Sequence, residues 1–114
     1  HSPTLLWQAR NQQCLRLDPE GLIIGVKEDF TYEQETLKME DGDVLLLYTD
    51  GVIEAENESH ELFGEKRLVE LLSEKHQLAP QELINYIIEQ VRIFSGHRNF
   101  QDDVSLVVMQ VTQQ

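Results

Sequence analysis

The stretch LLLYTDGVIEAEN, which runs from Leu45 to Asn57, changes character abruptly at Thr49-Asp50-Gly51. Before that point every residue from Val44 to Tyr48 is apolar, a pattern that is typical of a β-strand buried on both faces. The run ends in a carboxylate, and glycine follows at once. This stretch therefore predicts an interior strand with Asp50 displayed at its carboxyl end.

The rest of the chain predicts an α+β fold around that strand. A second apolar run, Val104–Val111, predicts another interior strand. Between the two runs the apolar residues recur every three or four positions, which predicts two amphipathic helices, Gly64–Lys75 and Pro80–Ser95, the second ended by Gly96. Strands followed by two consecutive helices and a strand favour a mostly antiparallel sheet with both helices on one face. The other strand-like segments are Thr4–Trp7, Cys14–Leu17, Leu22–Val26 and Phe30–Met39.

Length and charge exclude several classes of function. The 114 residues suffice for one domain or for part of one. The chain carries 21 acidic and 9 basic residues, a formal net charge of −12. Such a surface repels nucleic-acid phosphates and anionic lipid, which argues against a nucleic-acid-binding or membrane-surface protein. It suits a protein that binds divalent cations.

The single cysteine, Cys14, excludes an internal disulfide and fits a reducing compartment. The sequence contains no apolar run near the roughly 20 residues of a membrane span and no visible signal peptide. We therefore expect a cytoplasmic protein. Cys14 alternates with its strand neighbours and is expected to be buried.

Acidic residues occur at the ends of both predicted interior strands. Asp50 follows the first, and Asp102-Asp103 precede the second. If these strands are antiparallel neighbours, the carboxylates converge at one edge of the sheet, where they repel one another unless a cation neutralises them. Hard oxygen ligands without nearby Cys or His favour Mg²⁺ or Mn²⁺, and Gly51 lets the backbone approach the metal. The pattern is consistent with a metal site at this edge.

An ordinary turn is the alternative explanation. Asp-Gly is among the commonest hairpin turns, and Asp102 can cap the end of a loop; composition and spacing alone favour this interpretation. Two observations oppose it. Val52–Asn57 does not pair with the preceding strand in hairpin register, and Asp102-Asp103 lies where a buried strand begins, an expensive place for charge.

Three segments in order resemble the metal-dependent protein phosphatases of the PPM type, specifically the bacterial branch of SpoIIE and RsbU, which is similar to eukaryotic protein phosphatase 2C. They are LLLYTDGVIEAEN, ELFGEKRLVELL and QDDVSLVVMQV. The opening HSPTLL resembles the branch's Gly-His-x-Pro-Pro segment, with Thr4 in place of the second proline. GLIIGVKEDFTYEQETLKMEDGD resembles the segment that follows.

The resemblance implies a fold, a reaction and metal ligands. The fold is half of an α-β-β-α sandwich. Asp50 and Asp102 match the family's metal ligands, Asp103 a supporting position, and Ser105 the Thr/Ser of the Asp-Asp-x-Thr/Ser pattern. The implied reaction is attack of a metal-activated water on phosphoserine or phosphothreonine, with two Mn²⁺ or Mg²⁺ ions in the intact domain.

The resemblance also implies that part of the domain is absent. The family's Asp-x-Ser-Gly motif, whose aspartate bridges both metals, lies upstream of the segment in which this chain begins at His1. Residues 1–114 are thus interpreted as the C-terminal part of the domain, inactive alone. Expected partners are a phosphorylated regulatory protein, the N-terminal half or a sensor or receiver domain, and a second copy of the chain in a dimer. The alternatives are a non-catalytic pseudophosphatase that acts as a regulatory interaction module, and a cation-binding fold without hydrolysis.

The remaining candidate residues are given structural interpretations. His1 matches a family motif position and is expected to form a structural hydrogen bond. Arg98 is a weak candidate for contact with a substrate phosphate. Three histidines are expected at the surface or in loops, and two aromatic residues in the core: His60, His76, His97, Phe63 and Phe94.

Overall fold

The computed structural model describes residues 4–17, 23–25, 31–32, 40–96 and 104–111, with the backbone alone for 23–25 and 31–32. His1, His97, Arg98, Asp102 and Asp103 lie outside these ranges. The strands are β1 (Thr4–Gln8), β2 (Gln13–Leu17), β3 (Ile23–Gly25), β4 (Thr31–Tyr32), β5 (Val44–Tyr48) and β6 (Leu106–Gln110). The helices are α1 (Asp50–Ile53), α2 (Gly64–Lys75) and α3 (Pro80–Phe94).

The described strands form one sheet in the order β4-β3-β2-β1-β5-β6, and every neighbouring pair is antiparallel. β1 lies in the middle of the sheet because it pairs with both β2 and β5: Leu6 is opposite Leu15 on one side and Leu45 on the other. The predicted antiparallel sheet is confirmed.

The core lies between one face of this sheet and the helices. Successive strand side chains point to opposite faces, so alternate residues of β1 and β5 share the helical side. All of them are buried, as are the residues of α2 and α3 that meet them. Because α2 and α3 contribute to one hydrophobic cluster with this single face, the prediction that both helices pack on one side is confirmed. The cluster includes Leu5, Trp7, Cys14, Val44, Leu46, Tyr48, Leu68, Leu72, Leu83, Ile87 and Val91.

β5 is an interior strand of the described sheet, as predicted, but neither β5 nor β6 is buried on both faces among the described residues. In β5 the burial alternates: Val44, Leu46 and Tyr48 are buried, whereas the residues between them are only half-buried. β6 is an edge strand of the described sheet, and its Val107 and Met109 are 48% and 47% exposed. The physical reason is that α2 and α3 lie on the same face. Apolar residues on the opposite face gain no cover from them.

The helix boundaries follow the sequence pattern. α2 has the predicted bounds, and α3 ends at Phe94, one residue before the predicted end. At the start of α3 the Ala79 N–H donates to Glu82 Oε1 at 3.3 Å, which satisfies one of the free backbone donors of a helix N-terminus. At its end Gly96 has φ +71°, a left-handed conformation that favours glycine and stops the helix.

The turn before β5 is held by a buried carboxylate. Asp43 is buried, and its two oxygens accept hydrogen bonds from the Ala9 N–H at 2.9 Å and the Glu40 N–H at 2.8 Å. Gly42 has φ +89°, and a Cβ there would lie 3.0 Å from Ala9 Cβ. These contacts fix the start of β5 against the end of β1.

The remaining early strands are short. β1 and β2 each differ from the predicted segments by one residue, and β3 occupies the centre of the predicted Leu22–Val26. In the predicted Phe30–Met39 segment, only β4 belongs to the described residues. The model contains no helix, within the described ranges, that is long and apolar enough to cross a membrane.

Candidate functional site

The ends of β5 and β6 meet at one edge of the sheet. Tyr48, the last residue of β5, is opposite Leu106, the first residue of β6. One residue further, the Thr49 N–H donates to the Ser105 carbonyl at 3.2 Å, and the Ser105 N–H donates to Thr49 Oγ1 at 3.0 Å. The adjacency on which the predicted site depends is therefore confirmed. We call this edge, from Tyr48 to Asp50 and from Val104 to Leu106, the β5–β6 edge.

Asp50 begins a helical turn and does not form a hairpin with β5. The Val52 N–H donates to the Thr49 carbonyl at 3.0 Å, and the Glu54 N–H donates to the Asp50 carbonyl at 2.9 Å. Gly51 and Val52 are buried beneath this turn, whereas Asp50 is exposed. The carboxylate thus lies in the first turn of α1. The hairpin-turn explanation of Thr-Asp-Gly is excluded, because the chain after Asp50 coils away from β5.

A tight loop connects α1 to α2. The Phe63 N–H donates to the Ala55 carbonyl at 2.7 Å, and Glu56 and Leu62 form an isolated antiparallel bridge. Asn57 Oδ1 accepts the backbone N–H groups of residues 59 and 61, both at 2.9 Å. The exposed His60 lies in this loop, as predicted, with Nδ1 3.2 Å from Glu56 Oε2. The loop therefore leaves the β5–β6 edge and returns directly to the start of α2.

A polar network that the sequence analysis missed lies under the same edge. Tyr48 Oη donates to Glu65 Oε2 at 2.9 Å, and Arg16 Nη1 is 3.6 Å from Glu65 Oε1. Burial, followed by the bond to Glu65, raises the pKa of the Tyr48 hydroxyl far above its usual range. The network ties the end of β5 to the first turn of α2. The sequence contained one indication of this network: a tyrosine in a buried strand needs a hydrogen-bond partner for its hydroxyl group.

Of the two predicted metal ligands, the structure describes only Asp50. Asp50 lies at the β5–β6 edge, Gly51 follows it in α1, and Ser105 lies beside Thr49. Asp102 and Asp103, just before Val104 in the sequence, are outside the described residues. Within those residues, no group of three or more His, Cys, Asp or Glu side chains is arranged to hold a metal ion. The described donor is one exposed carboxylate, whose hard oxygens match the ligand chemistry of Mg²⁺ or Mn²⁺.

The other histidine and the aromatic residues have structural positions. His76, in the loop after α2, stacks on Trp7 with ring centroids 4.7 Å apart. Phe63 is buried and Phe94 half-buried, and their rings meet edge to face at 5.4 Å, which confirms both as core residues. Cys14 is buried, as predicted.

Comparisons of sequence assign these features to a known group of proteins. The family model "Stage II sporulation protein E (SpoIIE)" matches residues 1–112. Phosphoserine phosphatase RsbU of Bacillus subtilis is 27% identical over 110 residues, covering 96% of this chain. Protein IcfG of Synechocystis is 30% identical over 95 residues. The chain spans only 32% and 15% of the lengths of these two relatives.

Solved structures share the fold. The SiaA-PP2C domain of Pseudomonas aeruginosa matches 96% of this chain with a TM-score of 0.72 at 16% identity. The phosphatase domain of SpoIIE from Bacillus subtilis matches 98% with a TM-score of 0.61 at 20% identity. A crystal of that domain presoaked with Mn gives a TM-score of 0.57. This chain covers 43% of the first structure's chain and 49% of the second's.

Proposed function

Because this chain belongs to the SpoIIE family, we propose that it is the C-terminal part of a PPM-type phosphatase domain that hydrolyses phosphoserine or phosphothreonine on a regulatory protein. The observation that carries this proposal is the pairing of β5 with β6, which sets Asp50 beside the incoming strand. Ser105 is hydrogen-bonded to Thr49; in the sequence Asp103 immediately precedes the β5–β6 edge, and Asp102 is one residue further upstream.

In this proposal Asp50 and Asp102 hold a divalent cation between them. Asp50 projects from the first turn of α1, which is fastened to the sheet by the buried Val52. The oxygens of a carboxylate are the hard ligands that Mg²⁺ and Mn²⁺ prefer. When bound, the cations supply a lowered pKa for the attacking water and neutralise the phosphoryl oxygens. Gly51 and Asp103 support the site from the neighbouring backbone and side chain.

The rest of the domain supplies what residues 1–114 lack. This chain covers less than half of each solved phosphatase-domain chain that it matches. The sheet face opposite α2 and α3 carries half-buried leucines in β2 and β5 and exposed apolar residues in β6. A second sheet packed there would bury this face and bring the bridging aspartate of the Asp-x-Ser-Gly motif. We propose that residues 1–114 alone have negligible activity and weak cation binding.

The substrate class follows from relatives and from the reaction. RsbU, whose name describes a phosphoserine phosphatase, aligns with 96% of this chain, and this supports a phosphoserine substrate. A phosphoprotein presents its phosphate on an exposed segment, which suits a site at the open edge of a sheet. A direct attack by water requires no nucleophilic side chain, and the proposal assigns none.

The test compares Asp50→Asn with Glu54→Gln in the full-length protein. Both substitutions replace an exposed carboxylate by an amide of the same shape, and Glu54 caps the other end of α1. With Mn²⁺ or Mg²⁺ present, we expect wild type and Glu54→Gln to hydrolyse a phosphoserine peptide and a small aryl phosphate. Asp50→Asn should abolish turnover and weaken Mn²⁺ binding in calorimetry, with an unchanged circular dichroism spectrum.

Each contrary outcome identifies a different error. Full activity of Asp50→Asn would refute the assignment of Asp50. Cation-dependent turnover by residues 1–114 alone would show that the chain contains a complete site. A full-length protein that binds a phosphorylated regulator without hydrolysing it would favour the non-catalytic interaction module.

A further inference from the structure

A groove of about 360 Å³ lies between α2 and α3, apart from the β5–β6 edge. It is built from helical residues together with Phe63, and it contains no strand residue. Its apolar lining includes Leu71, Ile93 and Phe94. Ile93 is 54% exposed, whereas the other large apolar residues of the same helix are buried or half-buried. We call this feature the α2–α3 groove.

Arg67 and two aromatic rings lie at one end of the groove. The Arg67 guanidinium lies 4.5 Å over the Phe94 ring, and its Nη1 donates to the carbonyls of Leu62 at 2.7 Å and Phe63 at 2.8 Å. These hydrogen bonds hold the Arg67 guanidinium over the ring of Phe94, which packs against Phe63. These contacts contribute to the shape of the groove at this end, and a surface that is shaped before binding lowers the cost of binding.

The rim of the groove is acidic. Glu70 and Glu74 lie one helical turn apart on α2 and both line the groove. Among the described residues neither has an ion-pair partner. Two like charges at this spacing repel each other along a helix, and a positive group placed between them relieves that repulsion. The apolar lining and the acidic rim are therefore complementary to a ligand that has an apolar face with positively charged side chains on either side of it.

We propose that the α2–α3 groove binds a basic amphipathic helix of a partner protein, with aliphatic side chains against Ile93 and Leu71 and Lys or Arg beside Glu70 and Glu74. A groove between two helices accommodates the apolar face of a third. The net charge of −12 disfavours an anionic lipid surface or a nucleic acid as the occupant. Glu70 and Glu74 disfavour a second copy of this groove as the occupant, because the same two carboxylates would face each other across the contact.

The probe is a fluorescein-labelled Leu/Lys peptide of about 14 residues, roughly four helical turns, with its leucines on one face. A Leu/Glu peptide of the same pattern and a scrambled Leu/Lys peptide serve as peptide controls. Binding to the full-length protein is followed by fluorescence anisotropy. We expect the patterned Leu/Lys peptide to bind and both controls to bind at least about tenfold more weakly, since both charge and pattern are required.

The protein variants separate the groove from general charge. Glu70→Lys/Glu74→Lys changes the groove, whereas Glu58→Lys/Glu89→Lys makes the same charge change at two exposed residues outside its lining. Ile93→Ser removes the exposed apolar contact. We expect the groove pair and Ile93→Ser each to weaken binding by about tenfold or more, and the Glu58/Glu89 pair to change it by less than about threefold.

Three outcomes would overturn the proposal. If both charge-reversed pairs lose the same peptide affinity, the peptide is attracted to the acidic surface as a whole. If wild type does not bind the patterned peptide, the groove does not accept such a helix. Self-association of wild type that Ile93→Ser abolishes, measured by sedimentation without peptide, would make a second copy the occupant. Phosphatase activity is measured in parallel. We expect it to be unaffected by the groove variants, so failure here leaves the proposed reaction intact.

Discussion

At the residue scale, Cys14 and Tyr48 show how burial and the half-buried carboxylate of Glu65 shift the pKa of neighbouring groups. Burial, and secondarily the negative charge of Glu65, raises the pKa of the Cys14 thiol from 9.0 to about 12. Burial, then the hydrogen bond to Glu65 and the charge of Glu65, raise the pKa of Tyr48. Both groups are therefore neutral in the folded protein throughout the physiological range. A thiol that stays protonated is a poor nucleophile, so Cys14 is a packing residue.

This gives a prediction about reactivity and pH. In the native protein, alkylation of Cys14 by iodoacetamide should stay slow from pH 7 to about pH 10, because the thiolate is the reactive form. In urea the same residue should react faster as the pH approaches 9.0, its ordinary pKa. The measurement is mass spectrometry of the peptide that contains Cys14. Equal rates in native and unfolded protein would contradict the burial.

The same shift implies a loss of stability in alkali. The folded-state pKa lies above the unfolded one, so the contribution of the protonated thiol is complete below pH 9.0 and is lost as the pH rises toward about 12. The free energy of unfolding of wild type should therefore fall more steeply above pH 9.0 than that of Cys14→Ala. Tyr48 adds a decline of the same sign at higher pH in both proteins.

At the scale of the element, α3 presents two isoleucines in opposite environments. Ile87 is fully buried in the cluster that joins the helix to the sheet, and Ile93 is 54% exposed in the α2–α3 groove. The two residues have the same helix propensity and the same side chain. A difference between the effects of substituting these two residues therefore reports the contribution of packing to the stability of α3, without a difference in helix propensity.

Replacing each by alanine should separate these contributions. Ile87→Ala removes buried methyl groups and leaves a cavity, so we expect it to lower the free energy of unfolding by about 2–5 kcal/mol. Ile93→Ala should change it by about 0.5 kcal/mol or less, as for most surface substitutions. Urea unfolding of the full-length protein, followed by circular dichroism at 222 nm, a helix signal, measures both. Similar losses for the two variants would mean that Ile93 is covered in the whole protein.

At the scale of the whole molecule, the sheet has one covered and one open face. Leu6, in the central strand, is fully buried. Toward the β6 edge on the same face, Leu45 and Leu47 are half-buried, and Met109 and Val107, which lie opposite them, are nearly half exposed. A graded apolar face of this kind is unusual on a free surface and is typical of a surface that another part of the protein covers.

This face predicts the behaviour of residues 1–114 produced alone. We expect the chain to associate into dimers or larger species and to bind ANS, a dye for exposed apolar surface, whereas the full-length protein should bind little dye. Val107→Thr/Met109→Thr should reduce both effects, since these residues lie at the open edge of the face. Light scattering that shows a dye-negative monomer at high concentration would contradict the prediction.

The elements of the fold were largely predictable because they depend on local patterns. α2 was predicted with its observed bounds, since its apolar residues repeat with the helical period. β5 was predicted as a strand with its observed bounds because Val44–Tyr48 is a continuous apolar run of strand length. The position of Asp50 at the end of β5 followed from the same pattern. The helical turn that begins at Asp50 was not predicted, because four residues are too few to show a period.

The sequence by itself determined which segments form strands and helices, which of their residues are apolar, and where carboxylates fall relative to the strand ends. Only the tertiary structure decided the strand order, the face that the helices cover, the bond between Thr49 and Ser105, and that between Tyr48 and Glu65. When consecutive residues of a strand are all apolar, the sequence indicates that both faces of the strand are shielded from water. It does not indicate which part of the protein covers each face. Cover and hydrogen-bond partners come from residues distant in the chain, and local periodicity carries no information about them.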